Sequence, residues 1–144
     1  MTGEFAIAVH AIVYLNHAGE TLSSEALAKN VCTNPARIRK VMARLRSASL
    51  IAAKEGAEGG YRFVLDPARV TLLDVLTALD LPAVSASWRS GDPNMECLVA
   101  SGMAEVMDDV YRQLNACCRE RLSAITIRQI DQRIFQGRTN SGRD

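Results

Sequence analysis

The sequence predicts a mainly α fold that carries one short β-hairpin and ends in a long helix. Three observations predict it. Apolar residues recur at three-to-four spacing along most of the chain, and glycines gather in one stretch, EGAEGG (55–60), between two strand-like runs. An apolar stripe that begins near Val99 then persists for about six turns. With 144 residues, 48% of them apolar and 23% charged, the chain is sized for one ordinary core, and wholesale disorder is not expected.

Taken in order, FAIAVHAIVYLNH (5–17) is apolar almost all round and reads as a helix buried on most sides, ended by Gly19. Ser23 or Ser24 caps a short second helix, SEALAKNV. After the turn CTN, Asn34 or Thr33 caps a third, with Pro35 at its first position, where a missing N–H costs nothing. Along this third helix Ile38, Val41, Met42 and Leu45 make one apolar face, while Arg37, Arg39, Lys40 and Arg44 take the rest. LIAAK (50–54) and YRFVL (61–65) are the strands of the hairpin, and 55–60 is its loop. Helix, helix, turn, basic helix and hairpin, in that order, describe a winged helix-turn-helix.

Thr71 with Asp74 forms a capping-box-like start for VTLLDVLTALD, and PAVSASWRSGDPNM (82–95) has no periodicity and reads as a loop. From Glu96, Val99, Met103, Val106, Val110, Leu114 and Cys117 share one stripe, and a small domain cannot cover so long a stripe alone. A second copy is the expected cover, which makes the chain a homodimer. Thr126 and Gln129 form another capping box. The expected organisation is a winged helix-turn-helix domain over 1–81, a loop over 82–95, dimerisation helices over 96–136 and a disordered tail over 137–144.

Between Ala26 and Lys54 there are seven cations, Lys29, Arg37, Arg39, Lys40, Arg44, Arg46 and Lys54, and no acid, although the whole chain carries only +1. A solvated helix face is the plain reading of such a stretch in isolation. Its place in a helix-turn-helix ahead of a glycine-rich wing instead points to double-stranded DNA, whose phosphates such a concentrated field neutralises. Arg37, Arg39 and Lys40 near the start of the third helix are the expected groove residues, with Arg44 and Arg46 nearer the backbone. Asn34, Lys54, Gly59, Gly60, Tyr61 and Arg62 complete the expected DNA surface.

"ARIRKVMARLRSASLI", "EGAEGGYRF" and "VTLLDVLTALD", ahead of a cysteine-containing loop, resemble the Rrf-two family of bacterial transcriptional regulators over residues 4 to about 131. The resemblance implies a homodimeric winged-helix regulator, probing a pseudo-palindromic operator and crossed through its long C-terminal helix. Members of the family commonly carry an arginine before the first wing glycine, used in the minor groove; Glu55 stands there in this chain, and Lys54 or Arg62 would take the phosphate contact.

Cluster-binding members carry three closely spaced cysteines before the dimer helix, whereas here Cys97 stands alone in PNMECLVASG. One thiolate per subunit is too few for the usual iron–sulfur site. Two uses of Cys97 follow. One is a thiol switch, with a disulfide to Cys117 or Cys118 within or between subunits. The other is an iron–sulfur cluster held by Cys97 and Cys117 of one subunit and by Glu4 or His10 of the other, since the resemblance places an acidic or imidazole ligand near Glu4. An unknown effector is the remaining reading. As packing residues, Cys117 continues the apolar stripe, Cys32 is expected in the core, and His10 is expected as a core or interface histidine. Trp88 is expected to pack on the dimer helix or to line an effector pocket.

No run of apolar residues reaches the ~18 to 20 that span a membrane, and the first segment lacks a basic start and a cleavage site. A cytoplasmic protein is expected. No nucleophile-and-base pair, phosphate loop or paired-carboxylate constellation is present to suggest an enzyme. A winged helix kept for protein docking is the alternative from another class, and the acid-free third helix speaks against it.

Overall fold

The computed structural model describes residues 1–137, so most of the tail expected at 137–144 lies outside the described residues. The elements are α1 (Gly3–Ala18), α2 (Ser24–Val31), α3 (Pro35–Ser47), β1 (Ala52–Lys54), β2 (Gly60–Arg62), α4 (Leu72–Ala78), α5 (Leu98–Ser123) and α6 (Ile127–Gln136). Helix α1 is the hub. Its buried residues, Ile7, Ala8, Ala11, Ile12, Val13 and Leu15, lie on several faces, because α2, α3, α4 and α6 all pack on it. Gly19 ends it in the left-handed region, φ 66°, and donates its N–H to the Leu15 carbonyl.

Ser23 caps α2 by accepting the Ala26 N–H, and Asn34 caps α3 by accepting the Arg37 N–H at 2.8 Å. Between them Cys32 takes the left-handed conformation, φ 61°, and its side chain is exposed. The expected burial of Cys32 is therefore corrected: a residue that closes α2 in this conformation projects from the turn and does not reach the core.

The hairpin is shorter than the sequence pattern suggested. Ala52 pairs with Arg62, Ala53 with Tyr61 and Lys54 with Gly60. Leu50 and Ile51 sink into the core instead of joining the strand, because Ser49 leaves α3 at φ 58° and turns the chain inward. Leu22 extends the sheet on the other side, exchanging both backbone hydrogen bonds with Tyr61 at 2.8 and 2.9 Å. Gly60 permits this approach, since a Cβ there would stand 2.2 Å from the Leu22 carbonyl oxygen.

Thr71 and Asp74 form the expected capping box of α4, as do Thr126 and Gln129 at α6. The loop continues to Cys97, which is the extended cap of α5, so that helix begins at Leu98 and not at Glu96. The loop runs back along α5. Asn115 accepts the backbone N–H groups of Ala83 and Val84 and donates to the Val84 carbonyl, and Arg89 meets Asp108 at 2.6 Å. Trp88 is 78% exposed over a shallow hollow of about 180 Å³ beside Met107 and Tyr111.

At the far end of α5 a backbone clip joins the two halves of the chain. The Leu72 N–H donates to the Ile125 carbonyl, and the Ile127 N–H to that of Val70. Helix α6 then folds back over α1 of its own chain, with Ile127 wholly buried.

Candidate nucleic-acid interface

Helix α3 is fixed by its inner face: Ile38, Val41, Met42 and Leu45 are all fully buried. At 100° per residue, the direction opposite that face carries Ala36, Lys40, Ala43 and Ser47. Arg37 and Arg44 lie on one flank of this ridge, and Arg39 and Arg46 on the other. A ridge with three small residues can approach a groove floor closely, while cations on both flanks meet the two walls.

The stretch that is free of acid in sequence is not free of acid in space. Glu4, in the first turn of α1, holds Lys40 at 2.9 Å and lies 3.9 Å from Arg44. Glu25, in the first turn of α2, lies 3.7 Å from Arg39, which also donates to the Ser24 hydroxyl. Hydrogen bonding from the Lys40 ammonium, and then the positive charges of Lys40, Arg44 and Arg37, hold the Glu4 carboxyl below the usual carboxylate range. Because its pKa is lowered on folding, Glu4 contributes stability above the ordinary carboxylate pKa, and that contribution is lost as pH falls through its lowered value.

Arg44 is largely spoken for: it donates to the Leu79 carbonyl at 2.6 Å and ties α3 to the end of α4. Among the described residues Arg37, Arg46 and Lys54 make no ion pair. Arg46 and Lys54 line a groove of about 360 Å³ between the start of α2 and the wing, together with Glu25, Glu55, Ser24, Gly59, Gly60 and Tyr61. Arg62 donates to the Gly19 carbonyl at 3.4 Å. The exposed tip of the wing carries Glu55 and Glu58. Sequence reasoning missed the acids set against α3. Glu25 was legible, since a helix-turn-helix brings the start of α2 beside α3, but nothing local announces Glu4.

The expected sensor residues are dispersed. Cys117 lies twenty residues beyond Cys97 on one continuous helix, which separates them by about 30 Å. A disulfide needs Cα atoms within ~7 Å, so a bridge within one subunit to Cys117 or Cys118 is ruled out. The same separation removes the cluster built on Cys97 and Cys117 of one subunit. Its other proposed ligands are also engaged: Glu4 by Lys40, and His10, which is exposed and not a core residue, by Asn30 at 2.8 Å. Among the described residues no group of three or more His, Cys, Asp or Glu side chains is placed to hold a metal ion. Within one subunit this donor set does not fit an iron–sulfur cluster. Cys117 is exposed in the single chain, as the other residues of the α5 stripe are, and Cys118 is half-buried against the core, because Cys118 lies on the side of α5 that faces the body of the chain.

A fully seated basic helix beside a glycine-built hairpin defines a winged helix-turn-helix regulator of transcription. The chain belongs to the Rrf2 family, whose model, described as "Iron-dependent Transcriptional regulator", matches residues 1–133. Among relatives, it is 26% identical over 139 residues to YwnA of Bacillus subtilis, a candidate HTH-type transcriptional regulator, covering 94% of this chain and 99% of the relative. It is 28% identical over 132 residues to the similarly described Rv1287 of Mycobacterium tuberculosis, covering 90% and 80%. Similar solved structures include a candidate transcriptional regulator from Lactobacillus plantarum (TM-score 0.78, 22% identity, 98% of this chain and 99% of that one). The IscR of T. potens superposes with a TM-score of 0.70 at 17% identity, over 96% and 90% of the two chains. The family and the relatives are transcriptional regulators and not enzymes. No helix among the described residues is long and apolar enough to cross a membrane.

Backbone N–H groups of Ala100 and Val99, at the open end of α5, lower the thiol pKa of Cys97. The thiolate of an exposed group so held is populated at lower pH than that of free cysteine. Iodoacetamide labelling followed by mass spectrometry should give Cys97 a pH midpoint below that of free cysteine; a coincident midpoint would show that these N–H groups do not act on the thiol.

Proposed function

We propose that the protein is a homodimeric DNA-binding repressor that places α3 of each subunit in the major groove of a pseudo-palindromic operator. The observation that carries this reading is the α3 surface: a small-residue ridge flanked by arginines, on a helix whose other side is fully buried. Arg37 and Arg39 reach for base edges or groove walls from the first turns, and Asn34 sets the entry of the helix. Arg46 and Lys54 take phosphates beside the wing, while Gly59, Gly60 and Tyr61 hold the hairpin at the distance this requires. Arg62 stands at the base of the wing. Glu55 and Glu58 keep the wing tip from closing on a phosphate-lined groove. A dimer covering its operator blocks transcription by occupancy alone, without any further surface. The setting of such a protein is the cytoplasm, where bacterial DNA lies.

A second copy is supported by α5. Val99, Val106 and Leu114 are 66, 60 and 46% exposed in the single chain, an apolar stripe along a helix about 39 Å long. Antiparallel crossing of two such helices covers both stripes and brings the start of one α5 toward the end of the other. That arrangement also leaves the thiol switch one route, between Cys97 and the partner's Cys117 or Cys118, which would lock the angle between the two reading heads.

Replacing Arg37 and Arg39 together by alanine should weaken binding to a duplex carrying the upstream region of the gene by about ten-fold or more, with the melting temperature little changed. Equal affinity, read by fluorescence anisotropy, would take α3 out of the interface. Sedimentation should find the wild type as a dimer and Val106→Glu as a folded monomer, because a carboxylate at the centre of the crossing cannot be buried unpaired. After diamide treatment, non-reducing electrophoresis should show a covalent dimer that is absent in Cys97→Ala. A wild type that stays monomeric on that gel would remove the redox switch.

A further inference from the structure

We propose that Glu4 is a built-in competitor of DNA phosphate for Lys40, so that the native chain binds DNA more weakly than its recognition helix allows. The inference rests on the reading of α3 as the DNA-contacting helix. Lys40 is the only charged side chain on the outward ridge of α3, between Ala36, Ala43 and Ser47, directly opposite the buried face. It is instead held at 2.9 Å by a carboxylate that comes from a different helix and is only 20% exposed, whereas the Lys40 side chain itself is 63% exposed. The ammonium is thus open to an incoming anion while its present partner is sheltered.

The geometry around Glu4 is that of an anion seat. Lys40 and Arg44 approach the two oxygens of its carboxylate separately, Lys40 at Oε1 and Arg44 at Oε2, and the guanidinium of Arg37 lies over Gly3 beside it. A phosphate oxygen offers the same charge and the same acceptor geometry. Each DNA-binding event that recruits Lys40 must therefore break the bond to Glu4, and an ion pair with one partner this exposed is worth up to about five-fold in an equilibrium constant. Arg44 has a second anchor at the Leu79 carbonyl, so it stays in place when Glu4 is neutralised, and α3 keeps its seat. Glu4 sets affinity without touching DNA.

The test is a double-mutant cycle with a labelled random-sequence duplex of about 30 base pairs at about 50 mM salt, where phosphate contacts dominate. Glu4→Gln, which keeps shape and removes charge, should bind about five-fold more tightly than the wild type, and thermal melting should confirm that it folds. The gain should vanish when Lys40→Gln is added. Unchanged or weaker binding by folded Glu4→Gln overturns the proposal. So does a gain that survives in the Glu4→Gln, Lys40→Gln double variant, since the effect would then be one of overall charge. If Glu4→Gln does not fold, Lys40→Gln alone decides: it should lose less affinity than Arg37→Gln, and an equal or greater loss overturns the proposal. Wild-type protein that binds no duplex at all overturns the DNA-binding reading itself, an outcome distinct from the others.

Discussion

The burial of one face of α3 is the constraint on which the rest of the structure depends. Ile38, Val41, Met42 and Leu45 lose all contact with solvent, and burying side chains of this size contributes ~1.5 to 3 kcal/mol each. That driving force decides the helix's rotation about its axis, and the rotation decides which residues point outward. Because 3.6 residues make a turn, an apolar set at 38, 41, 42 and 45 leaves Ala36, Lys40, Ala43 and Ser47 on the far side. The outward surface of α3 is a consequence of the core. α1 supplies the wall against which α3 packs, and for that reason α1 is itself apolar on several faces, with α6 closing over its other side.

Charge refines what packing sets. The chain is nearly neutral overall, +1 in 144 residues, yet its cations are concentrated on and around one helix. Two acids are held against that helix, Glu4 from α1 and Glu25 from α2, and each sits in the first turn of its own helix, where a negative charge also suits the helix dipole. Local stability and the proposed DNA affinity thus draw on the same cations in opposite directions. Arg44 illustrates the structural side of this sharing, since its bond to the Leu79 carbonyl ties α3 to α4 and, through the clip at Ile125 and Ile127, to the end of the long helix. A change of angle at α5 therefore has a continuous hydrogen-bonded route to α3.

Much of this was legible in the sequence because it depends on local chemistry. Ser23, Asn34, Thr71 and Thr126 cap the helices where their side chains imply, and Gly19 ends α1 as a left-handed residue should. The limits lie where distant residues meet. The hairpin ended early because Ser49 turned Leu50 and Ile51 inward, a choice made by the core and not by strand propensity. Cys32 was read from its apolar character but is placed by its left-handed backbone. The pairing of cysteines was read from type and count, and the continuity of α5 then set Cys97 and Cys117 about 30 Å apart. The salt bridges to Glu4 join residues 36 and 40 positions apart, which no periodicity announces.

The central claim is that this nearly neutral chain meets DNA through a few unpaired cations on one face of each subunit. The salt dependence of binding to a duplex carrying the upstream region of the gene tests it most directly. Arg37, Arg46 and Lys54 are free of ion pairs among the described residues, so two subunits offer at least about six phosphate contacts and a slope of log K against log salt of about −5 or steeper. A slope near zero, at any affinity, would mean that the basic face does not meet the backbone and would contradict the account.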